Sequence, residues 1–360
     1  MRIGHAHRSP RSTTERYVRR VRRVGAAGLF LTWVSVSASA LASGCGDDTT
    51  GGAGGAGGAQ TSAGAGHAGS TGMSAATLVG AFNLRLVPAT EATSTTTATA
   101  AQSAFIGSVA DAATPSPMAW IVNQEANGCT LYTPKSPFCD PSCGASAVCV
   151  SDDRCVDRPT PQTVGTITLM GVGSSDISMT AIAGNYQPKG GTSLPFPPCT
   201  EGSAVTLAAT GGTFSAFTLT THCIAELDFQ GPIKLVKGSP LKLTWTAPSQ
   251  TTLARIQIRI DISHHGGARG KIECDVADSG SVEMPAAMID KLLDLGVAGF
   301  PTVVVTRIAS GGVASGEPKQ VVLNVQESVE REVQIDGLLS CAGDGDCPAP
   351  KTCQTDLTCK

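Results

Sequence analysis

Ile256-Gln257-Ile258-Arg259-Ile260 alternates branched apolar side chains with long polar ones at a period of two. Successive strand side chains point to opposite faces, so this run reads as a half-buried β-strand. Working outward, the same alternation recurs in Leu241-Lys242-Leu243-Thr244-Trp245, in Val164 to Met170, in Phe214 to Leu219 and in Gly80 to Leu86. Phe105 to Val109, Trp120 to Val122, Thr302 to Ile308, Gln320 to Val325 and Arg331 to Ile335 complete the set. The runs are short, and Gly, Pro, Ser and Asn mark the turns between them. That combination predicts an all-β chain, an antiparallel β-sandwich that is Ig-like or fibronectin-like at most, rather than alternating βα units.

One helix interrupts the pattern. Pro285 suits a first helical position, Met288, Leu292 and Leu295 follow at helical spacing, and Gly296 stands where a left-handed C-cap belongs.

The N-terminal part has a different composition. Residues 1–44 hold eight Arg, no Lys and the single acid Glu15, and Val24 to Ala42 form an apolar run whose second half is small and weakly hydrophobic. This is the pattern of an export signal rather than a spanning helix. Leu41-Ala42-Ser43-Gly44-Cys45 resembles the bacterial lipobox, with Ala42 where Leu is usual, so Cys45 is the expected lipid-attachment residue. Acyl chains on Cys45 would hold the protein at a membrane without a transmembrane helix. The competing reading is cleavage after Ala42 with a structural Cys45; it leaves an odd thiol, whereas removing Cys45 leaves twelve Cys that can all pair. Thr49 to Thr77 is built mainly from Gly, Ala, Ser and Thr, with ten Gly and no Asp, Glu, Lys or Arg, a tether with an end-to-end distance of about 30 Å. Gly46 at the second position favours the outer membrane by a known bacterial sorting rule.

Residues 45–360 carry 18 basic and 28 acidic side chains, a net charge of −10. That sign argues against nucleic acid as a partner. Thirteen Cys, all beyond the expected export signal, indicate an oxidising compartment. Cys139, Cys143, Cys149 and Cys155 form one module; Cys341, Cys347, Cys353 and Cys359 form a second, and each allows three connectivities. Neither contains His or the CxxC knuckle of a zinc site, so disulfides are expected. Cys129, Cys199, Cys223 and Cys274 remain to staple the body, with one bridge expected around Trp245. The expected organisation is signal 1–44, lipidated Cys and tether 45–77, first strands 78–128, Cys-rich module 129–160, sandwich body 161–338 and Cys-rich module 339–360.

The lipobox Cys, the Gly/Ala tether, "GCTLYTPKSPFCDPSCGASAVCVSDDRCV", "PLKLTWTAP", "GKIECDVADSGSVEMPAAMI" and "CAGDGDCPAPKTC" together resemble the uncharacterised cysteine-flanked surface lipoproteins of myxobacteria. The resemblance covers most of residues 41–360. It implies a surface location and this architecture; it implies no biochemical activity.

Three constellations bear on chemistry. Val276-Ala277-Asp278-Ser279-Gly280-Ser281 matches the aspartic-protease pattern, in which two such Asp share a proton; one copy per chain would require a homodimer built on Asp278. The structural alternative is a polar turn with Asp278 capping the helix that follows. His264 and His265, at a Gly-rich tip between two strands, are candidate Zn or Cu ligands if the loop bends to bring both rings together. Asp152-Asp153 and Asp344-Gly345-Asp346 supply too few oxygens for Ca²⁺ and read as acidic turns. There is no G-x-S-x-G, H-E-x-x-H or G-x-G-x-x-G, and Gly266 to Lys271 lacks phosphate-loop spacing. No cofactor is expected. The sequence thus points to a non-catalytic module, lipid-anchored at the cell surface or outer membrane or facing the periplasm, with a protein or glycan partner; the rivals are the homodimeric Asp278 hydrolase and a periplasmic metal-binding lipoprotein using His264 and His265.

Overall fold

Alternating strands whose two faces differ in polarity pack into layered sheets, and here they cover two separate cores. The computed structural model describes residues 77–90, 97–190, 193–314 and 319–360. The expected export signal, Cys45 and the expected tether up to residue 76 lie outside the described residues.

In chain order the strands are β1 (Thr77–Val87), β2 (Gln102–Ala110), β3 (Ala119–Ala126), β4 (Cys129–Lys135), β5 (Ala147–Ser151), β6 (Arg154–Asp157) and β7 (Pro161–Gln162). Then come β8 (Ile167–Met170), β9 (Ile177–Met179), β10 (Asn185–Tyr186), β11 (Ala204–Ala209), β12 (Phe217–His222), β13 (Ile233–Leu235) and β14 (Leu241–Thr244). β15 (Arg255–Asp261), β16 (Lys271–Ala277), β17 (Ser281–Met284), helix α1 (Ala286–Asp294), β18 (Thr302–Ala314) and β19 (Lys319–Ile335) follow. An eleven-stranded sheet runs β10-β2-β1-β19-β18-β15-β16-β4-β3, with β13 and β7 attached to β19 and β2. A four-stranded sheet, β12-β11-β8-β9, and the pairs β14-β17 and β5-β6 complete the fold.

The all-β sandwich class therefore holds. Its large sheet is mixed rather than purely antiparallel, because β1 and β13 both run parallel to β19.

In the first core, Phe82, Leu84, Phe105, Leu323 and Val325 of the large sheet pack with Ile167, Leu169, Leu207 and Leu219 of the four-stranded sheet. The backbones approach so closely there that a Cβ on Gly311 would lie 1.8 Å from the Thr220 carbonyl oxygen. In the second core, Ile256, Ile258, Ile260, Ile272, Val303 and Val305 pack with Leu243 and Met284 of the β14-β17 pair and with Met288, Ile289 and Leu292 of α1. The helix ends as its sequence implies, with Gly296 at φ +87°, while Pro285 is its extended N-cap and not its first helical residue.

Several strands differ from expectation. Val164 to Thr166 lie outside β8 because Gly165 turns at φ +74°, where a Cβ would meet the Gly211 carbonyl at 2.2 Å. Phe214 lies outside β12, its N–H bonded back to the Thr163 carbonyl. The two runs expected at Gln320–Val325 and Arg331–Ile335 are one seventeen-residue strand, β19.

All twelve Cys beyond Cys45 pair: Cys129–Cys274, Cys139–Cys149, Cys143–Cys155, Cys199–Cys223, Cys341–Cys353 and Cys347–Cys359. Cys129 and Cys274 face each other across β4 and β16, in the same apolar cluster as Trp245. The expected module boundary at residue 129 is thus corrected: Cys129 belongs to the large sheet, and the self-contained module spans Cys139 to Cys155. Both modules join first Cys to third and second to fourth. Each ends in a hairpin with a left-handed residue two positions before its last Cys, Asp153 and Leu357, both at φ +58°.

Candidate functional site

The two apolar cores are separated by a buried polar layer built on β18 and β19. Val303, Val305 and Ala309 of β18 face the cores, and Arg307 shares their face at the boundary between them. Its guanidinium, 1% exposed, donates from Nε to Asp278 Oδ2 at 2.6 Å and from Nη2 to Asp278 Oδ1 at 3.2 Å. Nη2 also donates to the Thr246 carbonyl at 2.6 Å, and Nη1 to the Glu226 and Ala225 carbonyls at 2.6 and 3.3 Å. All five guanidinium N–H bonds are thereby engaged. The indole N–H of Trp245 completes the layer, donating to Asp278 Oδ1 at 2.7 Å. A buried ion pair is favourable only when its remaining donors and acceptors are satisfied in this way.

Asp278 is therefore not a helix cap. The strand β17 intervenes between it and α1, whose N-cap, Pro285, has no side-chain cap bond. The Gly280 turn does form, at φ +95°. The hydrolase reading requires Asp278 to face a symmetry mate across a cleft, whereas here the side chain is fully buried and bonded to Arg307 and Trp245.

Glu327 lies directly opposite Arg307 in the β18-β19 ladder and is 2% exposed. Its carboxylate accepts the Leu227 N–H at 2.7 Å. Burial, reinforced by the neighbouring negative charge of Glu226, pushes its pKa up to about 7; the Leu227 N–H and Arg307 oppose this without cancelling it.

The loop between β15 and β16 does bend. His265 takes φ +64°, and the His264 and His265 rings lie 3.9 Å apart between centroids. The His264 carbonyl accepts the Phe300 N–H at 2.9 Å. Among the described residues, the groups of three candidate metal ligands are Cys139, Cys143 and Cys149, and Cys341, Cys347 and Cys353; neither includes a His, and all six Cys are in disulfides.

The acidic residues of the modules hold backbone N–H groups. Asp152 accepts from Phe138 at 3.1 Å and pairs with Lys135 at 2.7 Å, a contact that lowers its pKa. Asp153 accepts from Asp140 at 3.1 Å, Asp344 from Cys353 at 2.8 Å and Asp346 from Ala342 at 2.8 Å. The C-terminal module is fastened to the body through Ser340 Oγ, donating to the Gly299 carbonyl at 2.6 Å, and the Gly299 N–H, donating to the Asp356 carbonyl at 2.7 Å.

Arg307, Glu327 and Lys271 escaped the sequence reading. Lys271 is buried between strands, its ammonium 2.6 Å from Glu273 Oε1 and 4.1 Å from the centroid of the Trp120 ring. A signal did exist for Arg307 and Glu327, since both fall at core-facing parity in their strands.

Two cavities flank the layer. One of about 600 Å³ is lined by Thr200, Glu201, Ile224, Ala225 and Glu226 among others. The second, about 340 Å³, is lined by Asp228, Phe229, Gln230, Lys242, Trp245 and Thr246 among others. No protein-family model matches this chain, and neither does any curated protein.

Proposed function

We propose that this chain is an exported protein held at a membrane by acyl chains on Cys45, serving without catalysis as a binding or structural module at the cell surface or outer membrane. The observation that carries the reading is the cysteine arithmetic. Six disulfides account for twelve of the thirteen Cys, and the thirteenth is the lipobox Cys45. A fold closed by six bridges belongs in an oxidising compartment. The Gly/Ala-rich segment after Cys45 is suited to hold such a body away from a lipid surface. The partner class we favour is protein before glycan: the chain beyond residue 44 has two Trp and two Tyr, Trp245 is engaged by Asp278, and Lys271 lies over the Trp120 ring.

Intact-mass spectrometry of membrane-extracted protein, before and after reduction, tests the reading. A mature chain starting at a diacylated Cys45 and gaining twelve hydrogens on reduction supports it. An unlipidated mass overturns the anchor, and free thiols in the native protein overturn the disulfide framework.

A further inference from the structure

We propose that the crossover Ala225–Asp228 is a proton-operated strap, latched by Glu327 and Arg307, that separates two cavities and opens when Glu327 ionises. The crossover carries the chain from β12, over the first core, towards β13, over the second. It is anchored at both ends. Cys223 is bonded to Cys199 on one side. On the other, Phe229 forms a β-bridge with Trp245, and the Thr246 N–H donates to the Asp228 carbonyl at 3.2 Å.

Between those anchors the strap is held by its own Leu227 side chain, buried in the second core, and from beneath by two polar side chains. Arg307 takes the Ala225 and Glu226 carbonyls, and Glu327 takes the Leu227 N–H. Ile224, Ala225 and Glu226 line the larger cavity, while Asp228, Phe229 and Gln230 line the smaller. A movement of the Leu227 peptide therefore alters the wall of both.

The charges make the latch conditional. Arg307 and Asp278 form a neutral pair in which every guanidinium N–H is engaged, leaving none for Glu327. The charged groups facing Glu327 are Arg307 from β18, with Asp278 behind it, and Glu226 from the strap; β1 places apolar Leu86 at the adjacent register position. With Glu327 protonated, the layer carries no excess charge. Ionisation leaves one buried negative charge whose donor among the described residues is the Leu227 N–H, beside a second carboxylate. Water reaching Glu327 relieves that charge, and lifting the strap admits it. The near-neutral titration of Glu327 puts the transition in an ordinary environmental pH range.

Hydrogen exchange on the whole, disulfide-intact chain tests this, following the peptide that spans Leu227 and correcting for the intrinsic pH dependence of exchange. If the carboxyl returns to its ordinary range when the strap lifts, protection at Leu227 falls about tenfold between pH 6 and 8. Glu327→Gln abolishes that fall. Glu226→Gln, which removes the neighbouring negative charge, moves its midpoint to lower pH. Flat protection in the wild type overturns the proposal, as does a pH-dependent fall that persists in Glu327→Gln. Should Glu327→Gln not fold, the Glu226→Gln variant decides: an unmoved midpoint overturns the strap.

Discussion

Arg307 stands directly across from Glu327 in the β18-β19 ladder, yet the two side chains form no ion pair, because every guanidinium N–H is already bonded to Asp278 or to a carbonyl. Opposite charges at neighbouring positions normally pair. Here Arg307 instead serves as a junction for the segments carrying Ala225, Glu226, Thr246 and Asp278. That junction accounts for how one large sheet covers two cores without a single continuous apolar interior.

Removing one member of the buried pair strands the other. Arg307→Met is expected to lower stability by about 3–5 kcal/mol, measured by denaturant unfolding at neutral pH. Asp278→Asn should cost more than the roughly 1 kcal/mol of a lost helix cap. The double variant should cost less than the sum of the two single ones. A cost near 1 kcal/mol for Asp278→Asn would contradict the role assigned to the pair.

Glu327 gives global stability a pH dependence of definite sign. Its pKa rises from an ordinary 4.5 to about 7 on folding, so the folded state holds the proton more tightly than the unfolded state. The contribution is complete below about 4.5 and is lost as pH climbs to about 7. Melting temperature should decline across that window for the wild type, and the decline should flatten in Glu327→Gln. Asp152 and Asp356, whose pKa values are lowered by Lys135 and Lys360, act in the opposite sense: their contributions vanish as the solution becomes acidic.

The strands were readable where alternation met a plain apolar core. Ile256, Ile258 and Ile260 face it as expected. β19 was read as two strands because its core-facing position between Val325 and Val329 is Glu327, a charge admitted only by the polar layer. The run ending at Ile308 conceals a strand that continues to Ala314, because Ser310-Gly311-Gly312 reads locally as a turn, whereas Gly311 is there for the close approach to Thr220. Asp278 was noticed for its motif, but its partners lie 29 and 33 residues away, beyond what local pattern reveals. The disulfide connectivities were equally opaque, since spacing alone permits three pairings per module.

Peptide mapping under non-reducing conditions should recover Cys139–Cys149 and Cys143–Cys155 from one module, and Cys341–Cys353 and Cys347–Cys359 from the other. Any adjacent pairing, such as Cys139 with Cys143, would refute the shared topology.

The body bridge should matter more than those within the modules. Cys129 and Cys274 are separated by 145 residues, against 10 for Cys139 and Cys149. In the chain-entropy account, replacing the first pair by Ser costs about 5 kcal/mol and the second about 3 kcal/mol. Equal losses in denaturant unfolding would show that strain or residual unfolded structure governs instead.

Gly311 tests the contact between the sheets. A methyl group there would overlap the Thr220 carbonyl, which is backbone and has little room to yield. Gly311→Ala is expected to cost about 1–3 kcal/mol. A variant of unchanged melting temperature would mean that the sheets separate more readily than their spacing implies.

The parallel register of β1 with β19 has a mechanical consequence. β1 is flanked by β2 on one side and β19 on the other over most of its length, with pairings from Thr77 to Val87. A pull on the chain at Thr77, directed along the strand, loads these hydrogen bonds together in shear instead of peeling them apart one by one. A body hung from that end would resist tension as a lap joint does, with the force shared across two seams.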